Sequence, residues 1–202
     1  MRMRWMAGTM LALLMAGMPV AMAQSAGYSA QPSAAPAPSK RAQKFSAEEI
    51  IEKGHKFFGT TTKGLAKAIE GLFKAHGRPT GYVLGEEASG AFLAGLRYGE
   101  GWLYMKDGRR QKIYWQGPSV GFDAGGNGTK VLMLVYDIDT PRQIFGRFFG
   151  ASGDAYLVAG FTVSAHSNDQ LLLVPIRTGI GARLGYSMGY LKITARPTWN
   201  PF

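Results

Sequence analysis

Cationic and aromatic side chains are the residues of this chain best suited to chemistry. The cations of interest in the C-terminal part are Arg97, Lys130 and Arg183. The aromatic side chains of interest are Tyr98, Trp115 and Phe122. Long basic side chains with apolar stems, placed among aromatic rings, suit an amphiphile with an anionic head. We predict that the three cations bind the head group and that the three rings pack against the apolar part. An ordinary barrel core with a basic surface explains the same residues equally well.

Nucleophile and acid–base patterns are weak. The chain has no Gly-x-Ser-x-Gly elbow, and Ser119 stands in Gly-Pro-Ser-Val-Gly, which lacks that spacing. Asp139 and Asp154 are more simply explained as a helix cap and a turn residue. Asp123, in Phe-Asp-Ala-Gly-Gly, is the carboxylate with the least structural explanation. A hydrolase or transferase in which Asp123 acts with a neighbouring acid or with His166 is therefore an alternative function.

Metal and phosphate-loop patterns are also weak. The three histidines are far apart in sequence: His55, His76 and His166. Because the chain also lacks cysteine, we predict no metal site and no cofactor. The run from Gly125 to Lys130 offers backbone N–H groups for an anion, but it leads into a strand pattern, so a turn with an exposed lysine is the simpler interpretation. Glu86 and Glu87 adjoin a predicted turn and are expected to be solvated.

A bend from Trp115 to Gly126 connects two strong strand patterns, Lys112–Gln116 and Lys130–Tyr136. Proline cannot donate to a strand ladder, so Pro118 should end the strand, form a bulge or lie at an edge. The four glycines of the bend allow positive φ or a close approach to another chain or a ligand. The bend therefore brings aromatic rings, a carboxylate and bare backbone together.

Short strands separated by glycine dominate the chain after Gly81. The predicted strands are Tyr82–Gly85, Ala91–Tyr98, Gly101–Lys106, Gln111–Gln116, Val120–Phe122, Lys130–Tyr136, Asp154–His166, Gln170–Arg177 and Ala182–Ala195. Asp107-Gly108 indicates a tight hairpin, and one helix is predicted from Asp139 through Phe148. The 28 glycines are about twice the usual share and are typical of bulges and barrel bends. The fold class is therefore mainly β (α+β), a small antiparallel β-barrel-like domain.

Two helices are predicted before the strands. Ser46-Ala47-Glu48-Glu49 matches a capping box, so the first helix should run from about Ala47 to Phe58. The second should follow Thr62 and end near His76-Gly77. Its apolar residues recur at helical spacing, and we interpret this stripe as core in preference to a partner groove. A protein–protein adaptor that uses these basic helices as a docking face is a third functional hypothesis.

The N-terminus has the pattern of an export signal. Arg2 and Arg4 precede the apolar run Met6–Met18, and Ala21-Met22-Ala23 is a small-x-small cleavage site. We predict a signal peptide over residues 1–23 and a disordered Ala/Pro/Ser linker over residues 24–44. A single domain should then occupy residues 45–202. With no cysteine, its fold has to be held by the core alone.

The chain carries a formal net charge of +10, which falls to +8 when Arg2 and Arg4 are removed with the signal peptide. In an exported protein such a charge favours lipid headgroups and envelope polymers over nucleic acid. We therefore predict a periplasmic protein whose partner is an anionic lipid or an envelope polysaccharide, with peripheral contact to a membrane. No nucleic-acid partner is expected.

Longer motifs are similar to known families. The order Arg97-Tyr98-Gly99, Trp115-Gln116-Gly117-Pro118-Ser119, Gly125-Gly126 and Gly153-Asp154-Ala155 resembles the SYLF lipid-binding domain. The whole region 45–202 resembles the periplasmic envelope-integrity EipA family of Gram-negative bacteria. The motifs that carry this second resemblance are Gly85–Ala91, Trp115–Gly126, Gly185–Lys192 and Thr198–Phe202.

The EipA resemblance implies a β-barrel-like, SYLF-like periplasmic protein that maintains the envelope, with no catalytic residues to transfer. The SYLF resemblance implies an association with acidic lipids, although the stretch Asn127–Lys130 departs from the SYLF pattern. The leading hypothesis is therefore a non-catalytic periplasmic protein that binds an anionic lipid or envelope polymer in a cationic, aromatic cleft.

Overall fold

Two helices and ten strands make up the part of the chain that the computed structural model describes. The described residues are 43–59, 62–89, 95–118, 128–150, 156–158, 160–178 and 189–200, without the side chains of Ser89 and Tyr156. The chain divides into two compact units, residues 1–39 and 40–202, and all described residues belong to the second. The predicted signal peptide and most of the predicted linker lie outside the described residues.

The two helices form where local capping signals place them. Helix α1 spans Ala47–Phe58, and Ser46 and Glu49 exchange the two hydrogen bonds of the predicted capping box. Helix α2 spans Lys63–His76, and the Thr62 hydroxyl accepts from the backbone N–H of Leu65. Each helix ends at a glycine with positive φ, Gly59 and Gly77. Both predicted helices are thus confirmed.

The strands follow in chain order. They are β1 Gly81–Ser89, β2 Leu96–Met105, β3 Arg110–Pro118, β4 Thr129–Tyr136, β5 Gly146–Gly150, β6 Tyr156–Val158, β7 Phe161–Val163, β8 His166–Ser167, β9 Leu172–Thr178 and β10 Tyr190–Thr194. Eight of them close into an antiparallel barrel in the order β1-β2-β3-β10-β5-β8-β9-β4, because β4 pairs with both β9 and β1. Strand β7 pairs with the end of β9 and β6 pairs with β7. The predicted β-barrel-like class is confirmed.

The barrel has an apolar face on each side of its wall. Side chains that point inward, such as Val83, Leu103 and Ile113, form one apolar core. Side chains that point outward from β4 and β9 form a second core with the two helices, in which Leu65, Ile69 and Leu72 are fully buried. The apolar stripe of α2 is therefore core, as predicted. No helix among the described residues is long and apolar enough to cross a membrane.

Three local predictions need correction. The helix predicted from Asp139 through Phe148 is only a 3-10 turn, Pro141–Ile144, and Phe148 lies on strand β5. Phe148 is fully buried on a strand whose residues alternate between buried and more exposed positions. Its spacing of four residues from Ile144 fits a helix as well as a strand over so short a run. Segments Ala91–Tyr98 and Gly101–Lys106, predicted as two strands, contribute to one strand, β2. The strand predicted from Asp154 to His166 is interrupted at Gly160, whose φ is +91°.

The hairpin at Asp107-Gly108 is present with a slightly longer turn than the motif suggests. Met105 N–H donates to Arg109 O at 2.9 Å, so three residues make the turn and not two. Gly108 has a φ of +88°, which favours glycine, and the Asp107 carboxylate accepts from the backbone N–H of Arg109. Pro118 is the last described residue of strand β3 and lies opposite Leu96 of β2. The rest of the predicted bend, up to Gly126, lies outside the described residues.

Candidate functional site

Charged and polar side chains are buried at one end of the barrel interior. Glu87 lies near the end of β1, Arg97 near the start of β2 and Arg177 near the end of β9, so all three approach the same end. Together with neighbouring side chains they form what we call the interior polar cluster. Its members are Glu87, Arg97, Trp115, Ser164, His166 and Arg177. Charged residues are almost never fully buried unless they are paired, so this cluster requires an explanation.

Strand alternation explains why these residues face inward. On β1, Val83 and Glu87 are four residues apart and both are buried, while Glu86 is exposed. Arg97 pairs with Gly117 in the register of β2 and β3. Because successive side chains of a strand point to opposite faces, Glu87 lies on the same inner face as Val83.

Trp115 crosses the inner face of β2 to reach Glu87. Gly99 pairs with both Trp115 and Glu87, and a Cβ at Gly99 would overlap the indole ring. The indole N–H donates to Glu87 Oε2 at 2.9 Å. A Cβ at Gly85 would also lie 2.7 Å from the tip of the indole. The two glycines therefore provide the space in which a fully buried tryptophan positions a buried carboxylate.

Arg177 links the other side of the barrel to the same carboxylate. Its Nε donates to Glu87 Oε1 at 3.0 Å, and its Nη1 donates to Ser164 Oγ at 3.1 Å. Ser164 Oγ and His166 Nε2 are 3.3 Å apart. A continuous polar chain thus runs from Trp115 through Glu87, Arg177 and Ser164 to His166.

Arg97 has two buried nitrogen atoms that no described residue accepts a hydrogen bond from. Its Nε lies 3.6 Å from the position that a Cβ of Gly117 would occupy, so the side chain passes over a bare backbone. Only 6% of Arg97 is exposed, and among the described residues its Nε and Nη2 have no acceptor. Arg177 Nη2 and His166 Nδ1 are likewise buried without a partner within the described part of the chain.

The electrostatics leave the cluster with a net positive charge. Burial raises the pKa of Glu87, but the guanidinium groups of Arg177 and Arg97 and the Trp115 N–H outweigh it, so that pKa lies below its ordinary value. Burial and the charge of Arg177 lower the pKa of Arg97 to about 10, which still leaves it charged at neutral pH. Burial, Arg97 and Arg177 lower the pKa of His166 to about 3, so its ring is neutral. Two cations therefore face one carboxylate.

A groove of about 620 Å³ lies beside this end of the barrel. Aromatic residues Tyr98, Tyr114 and Trp199 line it, together with the carboxylates Glu86 and Glu100. The Tyr98 hydroxyl donates to the backbone oxygen of Trp199 at 2.9 Å, and the two rings meet edge to face. Glu87 and Trp115 also border the groove. It is aromatic and acidic, whereas the cationic groups lie in the barrel interior.

The structure brings together two of the six predicted ligand-binding residues, Arg97 and Trp115, in the interior polar cluster. Tyr98 lines the neighbouring groove. Lys130 is elsewhere, because its amino group donates to the backbone oxygen of Phe57 at 2.9 Å and lies over the Phe57 ring. Phe122 and Arg183 lie outside the described residues.

Four members of the cluster were missed as ligand-site candidates: Glu87, Ser164, His166 and Arg177. The expectation that Glu87 is solvated is wrong, since only 5% of it is exposed. Glu87 follows Val83 by an even number of residues, so both lie on the same face of a strand, and this spacing indicates that Glu87 is buried. The position of Arg177 at the end of the apolar run Leu171–Ile176 was another such signal. Among the described residues no group of three His, Asp or Glu side chains could hold a metal ion.

Comparisons with known proteins identify a family and a solved structure with a similar fold. The family model described as envelope integrity protein A matches residues 43–202. A crystal structure of a β-barrel-like, uncharacterized protein from Brucella abortus is 53% identical in sequence, with a TM-score of 0.73. The match covers 79% of this chain and 99% of that one. No curated protein matches the chain.

Proposed function

Because the chain belongs to the envelope integrity protein A family, we propose that it is an exported, non-catalytic protein that maintains the cell envelope by binding an anionic lipid or envelope polymer. The family description supports a role in the envelope and names no reaction. The signal-peptide pattern at residues 1–23 and the net charge of +8 that remains after its removal support a periplasmic location beside anionic surfaces.

The observation that carries the proposal is the excess of buried cationic donors in the interior polar cluster. Burying a charge without a partner costs several kcal/mol, and each buried N–H without an acceptor costs about 1–3 kcal/mol. An anionic group bound beside Arg97 and Arg177 would supply the missing acceptors. A barrel that buries cationic donors without acceptors at one end is well suited to bind an anion there.

The aromatic groove supports a second contact for the same ligand. Glu86 on its wall repels an anionic head and Glu100 is already paired with Lys112, whereas Tyr98, Tyr114 and Trp199 offer apolar ring surface. The uncharged portion of a lipid or polymer therefore suits the groove, and its anionic group suits the barrel interior. Trp115, which borders both, would contact the two portions.

Native mass spectrometry of the protein purified from its own envelope tests the proposal. We expect an additional mass from an anionic lipid or polymer, and binding to anionic vesicles at low salt. The matched variants are Arg97→Met, which should lose the additional mass, and Arg142→Met at an exposed site, which should retain it. A clean ligand-free mass together with no binding to anionic vesicles or envelope polymer would contradict the proposal.

The non-catalytic part of the proposal has its own test. Asp123 lies outside the described residues and is the carboxylate that the hydrolase or transferase alternative requires. We expect a strain carrying Asp123→Asn to resist envelope stress as well as the parent strain. Loss of resistance with normal amounts of folded protein would favour the enzymatic alternative.

A further inference from the structure

The interior polar cluster offers buried hydrogen-bond donors that no described residue uses. The free atoms of Arg97 are Nε and Nη2, which form one edge of the guanidinium group. This edge presents two parallel N–H bonds, the geometry that binds carboxylate or phosphate through two oxygens. The edge is more than nine-tenths buried and is not used by any described residue.

Two further donors come from other strands. Arg177 uses Nε for Glu87 and Nη1 for Ser164, so its Nη2 remains free among the described residues. His166 is neutral, and when Ser164 donates to its Nε2 the ring proton resides on Nδ1. Nδ1 is also buried without a partner in the described part of the chain. The donors therefore belong to three side chains on three strands.

The number and origin of these donors favour a tetrahedral oxyanion over a planar carboxylate. A carboxylate has two oxygens in one plane, and once the edge of Arg97 engages both, the remaining lone pairs can accept only near that same plane. A phosphate group has a third oxygen that can accept from Arg177 or His166 at the same time. Arg97 and Arg177 are 6% and 9% exposed.

We propose that Arg97 and Arg177 bind one phosphate-type oxyanion inside this end of the barrel, with His166 Nδ1 as a third donor. This inference rests on the proposed function and specifies the chemical group that the interior site recognises. Glu87 does not bind the anion. It holds Arg177 and Trp115 in place, and its negative charge reduces the repulsion between the guanidinium groups of Arg97 and Arg177.

Calorimetric titration of the purified protein with inorganic phosphate tests the site. At pH 7 and constant ionic strength maintained with sodium chloride, we expect saturable binding of one phosphate. Saturating phosphate should also raise Tm by a few degrees, about 3–5 °C, because a ligand that binds only the folded state stabilises it. Phosphate binding no stronger than that of chloride would overturn the inference.

Variants of Arg97 separate binding from folding. Arg97→Met should abolish phosphate binding while leaving Tm in the absence of phosphate unchanged or higher, because it removes a buried cation without a partner. Arg97→Lys keeps the charge but loses the two-point edge, so we expect at least tenfold weaker binding. The exposed control Arg142→Met should bind phosphate normally. Normal phosphate binding by Arg97→Met would contradict the assignment.

Vesicles distinguish a lipid head group from free phosphate as the source. Vesicles of phosphatidylcholine have no net surface charge, and vesicles that also contain phosphatidylglycerol have an anionic surface. Selective binding to phosphatidylglycerol that is lost in Arg97→Met assigns the site to a lipid phosphate. Phosphate binding without vesicle or polymer binding supports the interior site and contradicts the proposed function. Binding of the parent protein to anionic vesicles without any binding of phosphate supports the proposed function and overturns this inference.

Discussion

Glu87 accepts hydrogen bonds from two side chains that arrive from opposite sides of the barrel, Trp115 and Arg177. Among the described residues it is also the only acid of the interior polar cluster. Its carboxylate therefore organises the cluster more than any single cation does. Its negative charge reduces the repulsion between two guanidinium groups. Removing this charge should therefore destabilise the protein far more than removing the charge of the exposed neighbour Glu86.

Replacing Glu87 by Gln tests this role at the level of one residue. The amide keeps the size of the side chain but removes the charge, so Arg97 and Arg177 repel each other without compensation. We expect Glu87→Gln to lower the free energy of unfolding by about 3–5 kcal/mol, measured by urea denaturation. The adjacent control Glu86→Gln should change it by less than about 0.5 kcal/mol. Equal effects of the two substitutions would mean that Glu87 is not the organising charge.

His166 predicts a pH dependence of stability. Its pKa is about 3 in the folded protein, against an ordinary 6.5, so the unfolded chain binds more protons between these values. Stability should therefore fall as pH falls from 6.5, by up to about 1.4 kcal/mol per pH unit. The charged groups that oppose protonation are Arg97 and Arg177, and Glu87 favours it.

Urea denaturation between pH 6.5 and pH 5 measures this slope, because ordinary carboxylates stay ionised in that range. His166→Gln should remove most of the slope, and the exposed control His76→Gln should keep it. An unchanged slope in His166→Gln would show that another group titrates. Below pH 4.5 the lowered pKa of Glu87 adds a further loss of stability, since this carboxylate must then be protonated on unfolding.

The inner face of β2 is shaped by the tryptophan of the next strand. Gly99 leaves room for the Trp115 indole, which a methyl group would displace. This is a property of the pairing between β2 and β3, since Gly99 lies opposite Trp115 in their register. The abundant glycines are typical of bulges and barrel bends, but Gly99 has a more specific packing role.

A pair of glycine-to-alanine substitutions tests that role. We expect Gly99→Ala to lower the free energy of unfolding by about 1–3 kcal/mol or more, because the added methyl overpacks a rigid ring. Gly71→Ala, in helix α2 with open space around the site, should instead raise it by about 0.5–1 kcal/mol. Urea denaturation gives both values. Stabilisation by Gly99→Ala would mean that the indole does not occupy this place.

At the scale of the whole molecule, the two helices complete the outer wall of the barrel. They cover a face that includes Leu132, Leu134, Val174 and Ile176, all of which are at most 1% exposed. The capping side chain Glu49 also pairs with Lys106 in the turn between β2 and β3. The barrel thus depends on the helices for burial of one side of its sheet.

Two deletions test this dependence. A protein without residues 24–79 should aggregate or bind a dye specific for exposed apolar surface, because each uncovered side chain loses about 1.5–3 kcal/mol of burial. A protein without residues 24–42 keeps both helices and should retain the Tm of the parent. A soluble, cooperatively folding barrel without residues 24–79 would contradict the prediction.

Signals that depend on neighbours in sequence were sufficient to predict much of the fold. The capping box at Ser46 and Glu49 places helix α1 within its observed bounds, and the continuous apolar run Val131–Tyr136 predicts a strand buried on both faces, which is β4. The barrel class follows from short strands and abundant glycine. These features are legible because capping bonds and strand faces are fixed by residues within a few positions of one another. The spacing of four residues between Ile144 and Phe148 fits both a helix and a strand, so the prediction of a helix there is wrong.

Only the tertiary structure decided how the interior polar cluster is composed. The pair Glu87–Arg177 joins residues 90 positions apart, and its formation requires β4 to pair with both β1 and β9. Strand order and register select which charges meet, and no local pattern encodes them. The sequence by itself determined that cations and aromatic rings occur among strands. Closure of the barrel determined that Arg97 is buried beside Arg177 while Lys130 binds the end of a helix.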